Sequence, residues 1–127
     1  MTNLDEITHD WGVRAFGEDN MDDPRMRALR FVEEAVEAAQ AAGVPESKLH
    51  TVISEVYKRP PGNIRQELGG CMLTLRMLIR ACTKLVFVEN APTAEDLYVE
   101  EIRRVLSKSP EHYAKRNQEK IDLGLKP

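Results

Sequence analysis

The chain has 127 residues, of which 42% are hydrophobic and only 6% aromatic, a composition that favours packed helices over a β-sandwich. The formal net charge of −3 argues against a protein whose main affinity comes from neutralising nucleic-acid phosphates. A chain of this length can bury a usable core without disulfides or a structural metal, so we expect one all-α domain over residues 1–127.

Targeting and redox signals are weak. No apolar run approaches the roughly 18 residues of a membrane span, and the acidic start lacks the basic and apolar regions of a signal peptide. We therefore expect a soluble, cytoplasmic protein.

Cys71 and Cys82 lie about 16 Å apart along one predicted helix, too far for a disulfide, and the three histidines are scattered, so a structural zinc site is not expected.

Residues 1–23 form an N-terminal arm that carries Trp11 and Phe16 among glycines and acids, which indicates a short helix or an ordered arm followed by a loop. Trp11 is the only tryptophan. An anchoring role on the helical body is the favoured interpretation of Trp11. Its alternative is stacking on a nucleobase or closing a pocket, which makes Trp11 a candidate substrate-binding residue.

The first long helix is predicted from Pro24 to Ala42, because an acidic N-cap followed by proline is typical of a helix start and Gly43 is a suitable stop. Its Ala-rich second half carries three carboxylates. Residues three apart share one helix face, so Glu34 and Glu37 can reach toward a single point. Helical geometry places Glu33 nearly opposite the apolar stripe, and we expect it in solvent.

A second helix is predicted to open at Pro45 and to end before Pro60. Its apolar face consists of Leu49, Val52, Ile53 and Val56. The segment 60–62, Pro-Pro-Gly, is the sharpest break in the sequence. Lys58 and Arg59 precede it and are candidate substrate-binding residues for phosphates. The favoured interpretation is that they complement the negative end of the helix dipole.

A third helix is predicted from Asn63 toward Phe87, since Asn63 and Gln66 resemble a capping box. One side of this helix is marked by Leu68, Met72, Leu75, Ile79 and Cys82. Further apolar residues widen the stripe, which indicates burial from two directions. The line of Arg76, Arg80 and Lys84 is expected to be a solvated face. The segment 85–88 has an alternative interpretation as a short strand.

A fourth helix is predicted from the capping signature of Thr93 and Asp96, and it supports the core. Residues 109–127 form a polar C-terminal tail with almost no apolar stripe, which indicates a frayed helix or a partner-bound segment. Its cations Lys115, Arg116 and Lys120 could contact phosphate, but solvation is the favoured interpretation.

Three carboxylates are the candidate chemical site. Glu34 and Glu37 share one helix and Glu67 lies near the start of a later one, so an antiparallel bundle can bring them together. Oxygen ligands of this kind suit Mg²⁺ or Mn²⁺, which hold phosphates and activate water.

The order of these elements resembles the MazG-like, all-α nucleoside triphosphate pyrophosphohydrolases, particularly the small single-domain branch of bacteria and phages. The resemblance rests on an ExxE pair on an Ala-rich helix, a short second helix, and Gln-Glu-Leu-Gly-Gly at residues 66–70 opening a long apolar helix. It covers roughly residues 27–85, with a weaker similarity in the arm. The resemblance implies a four- to five-helix bundle completed by oligomerisation as a homodimer or homotetramer.

The resemblance also implies a reaction. In the family, ExxE and ExxD pairs bind magnesium, water attacks between the α- and β-phosphates, and a nucleoside monophosphate and pyrophosphate are released. Glu34, Glu37 and Glu67 match three of these acids and are the predicted metal ligands and catalytic residues. Gly70 stands where the aspartate is expected, so metal affinity should be lower and the number of ions is open. Candidate replacements are Glu33, Glu55 and Asp96.

The leading hypothesis is thus a Mg²⁺-dependent nucleotide pyrophosphohydrolase with a nucleoside triphosphate substrate. The first alternative is a non-catalytic nucleotide-binding or interaction module of the same fold. The second is a helical DNA-associated protein that uses the turn at residues 60–62. The net negative charge of the chain argues against this alternative.

Overall fold

The computed structural model describes residues 3–86 and 91–127, and every regular element in that part of the chain is a helix. The all-α prediction is confirmed. The helices are α1 (Leu4–Phe16), α2 (Glu18–Met21), α3 (Pro24–Ala41), α4 (Glu46–Tyr57), α5 (Ile64–Val86), α6 (Ala94–Leu106) and α7 (Pro110–Asp122). The described residues therefore form seven helices instead of four or five. The difference arises because the N-terminal arm contributes two helices, divided at Gly17 where φ is +83°.

The predicted helix starts agree with the observed capping bonds. At the start of α3, Asp23 Oδ1 accepts the backbone N–H of Arg25 at 3.0 Å. Before α6, Thr93 and Asp96 exchange side-chain to backbone bonds of 3.1 and 2.9 Å, as a capping box requires. After α3, Gly43 adopts φ +94°, a conformation that favours glycine. These boundaries are set by local chemistry.

The end of the third predicted helix lies at the limit of the described residues. Helix α5 extends to Val86, so residues 85 and 86 are helical and not the start of a strand. Residues 87 and 88, which complete the alternative strand, lie outside the described residues.

The chain divides into two compact units. The terminal unit combines Met1–Ala35 with Tyr98–Pro127, and the central unit is Val36–Leu97. The expectation of a single domain stays a prediction. The boundaries fall inside α3 and α6, so each of these helices contributes to both units.

The terminal unit contains a small apolar core, and α1 packs against both α2 and α7. The buried apolar residues of this unit are Ala15, Met26, Ile102 and Tyr113. The side chain of Met21 occupies the place where a Cβ of Gly12 would lie, so glycine permits this close contact of α1 with α2. Helix α7 lies in the predicted polar tail and buries Tyr113 and Asn117, although its sequence has almost no apolar stripe. The tail is therefore an ordered helix.

The central unit leaves its apolar side chains open to solvent. The expected burial of the α4 and α5 faces is not observed in a single chain, because no described element covers them. Among the exposed residues are Val52, Ile53, Val56, Leu68, Met72 and Leu75. Cys71 and Cys82 are free and half-buried. None of the described helices is long and apolar enough to cross a membrane.

Candidate functional site

Helix α3 places Glu34 and Glu37 one turn apart with exposed side chains. Glu34 belongs to the terminal unit, where it lies within electrostatic range of Arg104 of α6. The pKa of Arg104 is raised, chiefly by its hydrogen bonds to Glu101 and additionally by the charges of Tyr113 and Glu34. Arg104 is therefore a cation of α6 whose charge interacts with that of Glu34, and sequence reasoning did not identify it.

Glu67 lies in the first turn of α5 and its side chain is exposed. Its carboxylate lies directly against Gly62, in the space where a Cβ would otherwise be. The glycine of the Pro-Pro-Gly break thus leaves room for this position of the Glu67 side chain. This contact places the carboxylate beside the loop that connects α4 with α5.

The donor chemistry of Glu34, Glu37 and Glu67 fits Mg²⁺, which prefers carboxylate and other oxygen ligands. Within residues 3–86 and 91–127, however, no three His, Cys, Asp or Glu side chains are grouped closely enough to hold a metal ion. The convergence of the three glutamates stays a prediction.

Gly70 is open on its side-chain side, since a Cβ built there meets no atom within 4 Å. The three acids considered as replacements for the expected aspartate all make other bonds. Glu55 accepts a bond of 2.7 Å from Lys58, and Asp96 caps α6 through Thr93. These bonds leave the position of a fourth carboxylate ligand unassigned.

Glu33, the remaining replacement candidate, is not a solvent residue as expected. Its carboxylate lies 2.7 Å from Nζ of Lys120, and its side chain is only 24% exposed. The expectation of a solvated Lys120 is wrong for the same reason. The sequence pattern missed this pair because it depends on the packing of α7 beside α3.

Lys58 and Arg59 lie at the end of α4, where the helix dipole favours positive charge. Lys58 bonds Glu55 one turn earlier, and the backbone N–H of Arg59 donates to the carbonyl of Val56 at 3.1 Å. Both side chains are exposed. These observations agree with the dipole interpretation, and contact with phosphates stays a prediction.

Trp11 anchors the N-terminal arm, which was the favoured interpretation. Its ring makes edge contacts with Phe16 and Tyr113, with centroids 5.5 and 5.0 Å apart. The guanidinium of Arg27 lies 4.9 Å from the centre of the Phe16 ring. The aromatic cluster thus connects α1 with α3 and α7 in the terminal unit. A substrate-binding role for Trp11 stays a prediction.

The described cations of the basic line on α5, Arg76 and Arg80, are exposed, as expected of a solvated face. Arg76 pairs with Glu95 at a distance of 2.8 Å. Together with Arg80 it lines a groove of about 280 Å³ beside the start of α6. The side chain of Lys84 lies outside the described residues. At least one predicted surface cation therefore serves to join α5 and α6.

The structure reveals a further set of polar bonds that sequence reasoning missed. Arg30 donates from Nε and Nη2 to the side-chain oxygen of Asn117, at 3.2 and 3.0 Å, and from Nη1 to the carbonyl of Leu125 at 3.0 Å. Arg30 and Asn117 are 87 residues apart. The sequence did contain one signal: the bonded residues are spaced by three on both helices, at 30 and 33 on α3 and at 117 and 120 on α7. This spacing is informative only when the two helices are known to be neighbours.

Comparisons of the chain with protein-family models, with curated protein sequences and with solved structures found no match.

Proposed function

We propose that the protein is a Mg²⁺-dependent nucleoside triphosphate pyrophosphohydrolase of the MazG-like type, which releases a nucleoside monophosphate and pyrophosphate. The main support is the placement of the acids on helices of the described chain. Glu34 and Glu37 lie one turn apart and exposed on α3, and Glu67 lies exposed in the first turn of α5. This is the order of carboxylates that the resemblance requires.

The three glutamates have distinct roles in this proposal. Glu34 and Glu37 supply oxygen ligands to the metal. Glu67 supplies a further ligand or orients the attacking water by accepting its hydrogen bond. When bound, a divalent ion such as Mg²⁺ or Mn²⁺ offsets phosphate charge and lowers the pKa of coordinated water. Lys58 and Arg59 steady the phosphates, since both are exposed cations at the end of α4.

The working form is a homodimer or homotetramer in this proposal. Support comes from the central unit, where Val52 is 57% exposed, Leu68 58% and Met72 52%. Exposed apolar faces are typical of interaction sites in soluble proteins, because burying apolar surface contributes about 25 cal/mol of favourable free energy for each Å². A second copy of the chain covers these faces and supplies the burial that a single chain lacks.

The direct test measures pyrophosphate and nucleoside monophosphate after purified protein is incubated with a panel of nucleoside triphosphates and Mg²⁺ or Mn²⁺. Glu37→Gln removes one negative oxygen ligand while preserving shape, and we expect a loss of turnover on the order of a hundredfold. Glu119→Gln is the matched control, because Glu119 is an exposed acid on α7. The enzymatic proposal fails if no triphosphate yields pyrophosphate, or if Glu37→Gln releases it as fast as wild type.

A non-catalytic nucleotide-binding module is the second candidate function. The glycine at position 70 favours it, because one expected carboxylate ligand is missing. Calorimetry that detects nucleotide binding without any hydrolysis product would support this alternative over turnover.

A further inference from the structure

We propose that the chain self-associates by pairing α5 with α5 of a second copy in the antiparallel direction, about a two-fold axis that lies between Cys71 and Met72. The side chains that form this contact are called the α5 stripe: Ile64, Leu68, Cys71, Met72, Leu75 and Ile79. The inference rests on the self-association in the proposed function and does not depend on the proposed reaction.

The α5 stripe runs along one side of the helix. At about 100° per residue, all six of its side chains fall within about 60° of Leu68 around the helix axis. Four of them are exposed, by 71%, 58%, 52% and 43% in chain order: Ile64, Leu68, Met72 and Leu75. The other two are half-buried. No described element covers the four exposed side chains, so their burial depends on a partner.

The α5 stripe has the same order from either end. Successive members are 4, 3, 1, 3 and 4 residues apart, and their types are Ile, Leu, Cys, Met, Leu and Ile. In an antiparallel pair about a two-fold axis, the first member of one helix lies opposite the last member of the other. Ile64 therefore meets Ile79 of the second copy, and Leu68 meets Leu75. A contact between two identical helices requires this symmetry, which identifies the partner as a second copy of the chain.

The charges of α5 favour the antiparallel direction. In a parallel pair each charged residue lies level with its own copy, and such like-charge neighbours are unfavourable. In the antiparallel pair Arg76 lies level with Glu67 of the second copy, and Arg65 lies level with Leu78. The antiparallel direction thus places an opposite charge or an apolar residue at these levels.

The two cysteines of α5 distinguish the two directions. In the antiparallel pair the two Cys71 residues differ in height by about 1.5 Å, whereas the two Cys82 residues are about 30 Å apart along the helix. In a parallel pair both cysteines lie level with their copies. Helix axes that are about 8–10 Å apart bring Cα atoms on the facing sides within the roughly 7 Å that a disulfide allows. Only Cys71 should therefore crosslink in the antiparallel pair.

The test oxidises the variants Cys82→Ala and Cys71→Ala with copper(II)–phenanthroline and detects crosslinked dimer by non-reducing electrophoresis. We expect a dimer band from Cys82→Ala, which keeps Cys71, and loss of that band in Cys71→Ala. Each thiol is the matched control for the other, since both are free and half-buried. Mass spectrometry of oxidised, trypsin-digested wild type gives a second reading, because Arg76 and Arg80 separate the two cysteines into different peptides. It should identify linkage through Cys71 alone.

The outcomes separate this inference from the proposed function. Equal crosslinking through Cys71 and Cys82 would indicate a parallel pair or random collision and would overturn the antiparallel contact. If wild type sediments as an oligomer but Cys71 forms no crosslink, the α5 pairing is wrong and the proposed oligomer forms through another surface. If wild type sediments as a monomer, the proposed assembly fails and the inference fails with it. Pyrophosphate release by wild type is measured separately and decides only the reaction.

Discussion

Arg30 places two donor groups on one side-chain oxygen of Asn117, at 3.2 and 3.0 Å, and so joins α3 to the C-terminal helix. Asn117 is among the few buried polar residues of the described chain, at 8% exposure. A polar side chain in that environment is stable only when its hydrogen bonds are made. The pair adds a polar attachment to the packing of Tyr113 against Trp11, and both hold a helix with little apolar character.

Replacement of Asn117 by leucine should lower the free energy of unfolding by about 2 kcal/mol, because the Arg30 guanidinium loses its acceptor while remaining partly buried. Urea denaturation measures the change. Gln118→Leu is the control, since Gln118 is exposed and bonds only within its own helix. Equal stability of the two variants would show that the Arg30 bonds contribute nothing to folding.

Restoring an acid at position 70 should strengthen metal binding. A Cβ at Gly70 meets no atom within 4 Å, so aspartate fits, and its helix propensity is no worse than that of glycine. We expect Gly70→Asp to raise Mn²⁺ affinity about tenfold, because the ligand charge increases by one. Gly69→Asp is the matched control: its position is equally open but points about 100° away on the helix. An equal gain in both variants would indicate nonspecific attraction.

Two charges on the apolar face of α5 should break self-association. Leu68 and Met72 are 58% and 52% exposed and lie one turn apart. Sedimentation should detect wild type as a dimer or tetramer and the double variant Leu68→Glu with Met72→Glu as a monomer. Gln66→Glu, on the opposite face by helical geometry, should leave the oligomer intact. A monomeric wild-type protein would contradict the proposed assembly.

The bond between His9 and Asp22, at 2.9 Å, should make stability depend on pH. The pKa of His9 is raised above 6.5, first by this hydrogen bond and further by the charges of nearby acids. Since the folded pKa exceeds the unfolded one, the stabilisation is complete below pH 6.5 and disappears as pH rises through the folded pKa. Titration by NMR should find a lower His9 pKa in Asp22→Asn. An unchanged pKa would exclude the bond in solution.

Local features of the fold could be predicted from the sequence. The caps at Asp23, at Asn63 and at Thr93 are encoded within a few residues, and the structure confirms the helix starts that they indicate. Trp11 likewise anchors the arm, because a large ring amid small and polar residues has a strong tendency to pack. Short-range chemistry was sufficient for these assignments.

Contacts between distant segments could not be predicted. Glu33 was expected in solvent because helical geometry describes one helix at a time and cannot supply Lys120 from α7. Leu68 and Met72, which the pattern predicts to be buried, are exposed in the single chain, where no described element covers them, and their burial against a second copy stays a prediction. The three carboxylates of the candidate site depend on the same kind of long-range information. Their convergence therefore stays a prediction.

The position of Trp11 offers a practical advantage for solution work. It is the only tryptophan of the chain, and its edge contacts with Phe16 and Tyr113 lie wholly within the terminal unit. Its intrinsic fluorescence consequently reports the melting of that unit alone, whereas far-ultraviolet circular dichroism follows helix loss throughout the chain. Transitions that coincide would indicate one cooperative species, and separate transitions would indicate independent melting of the two units.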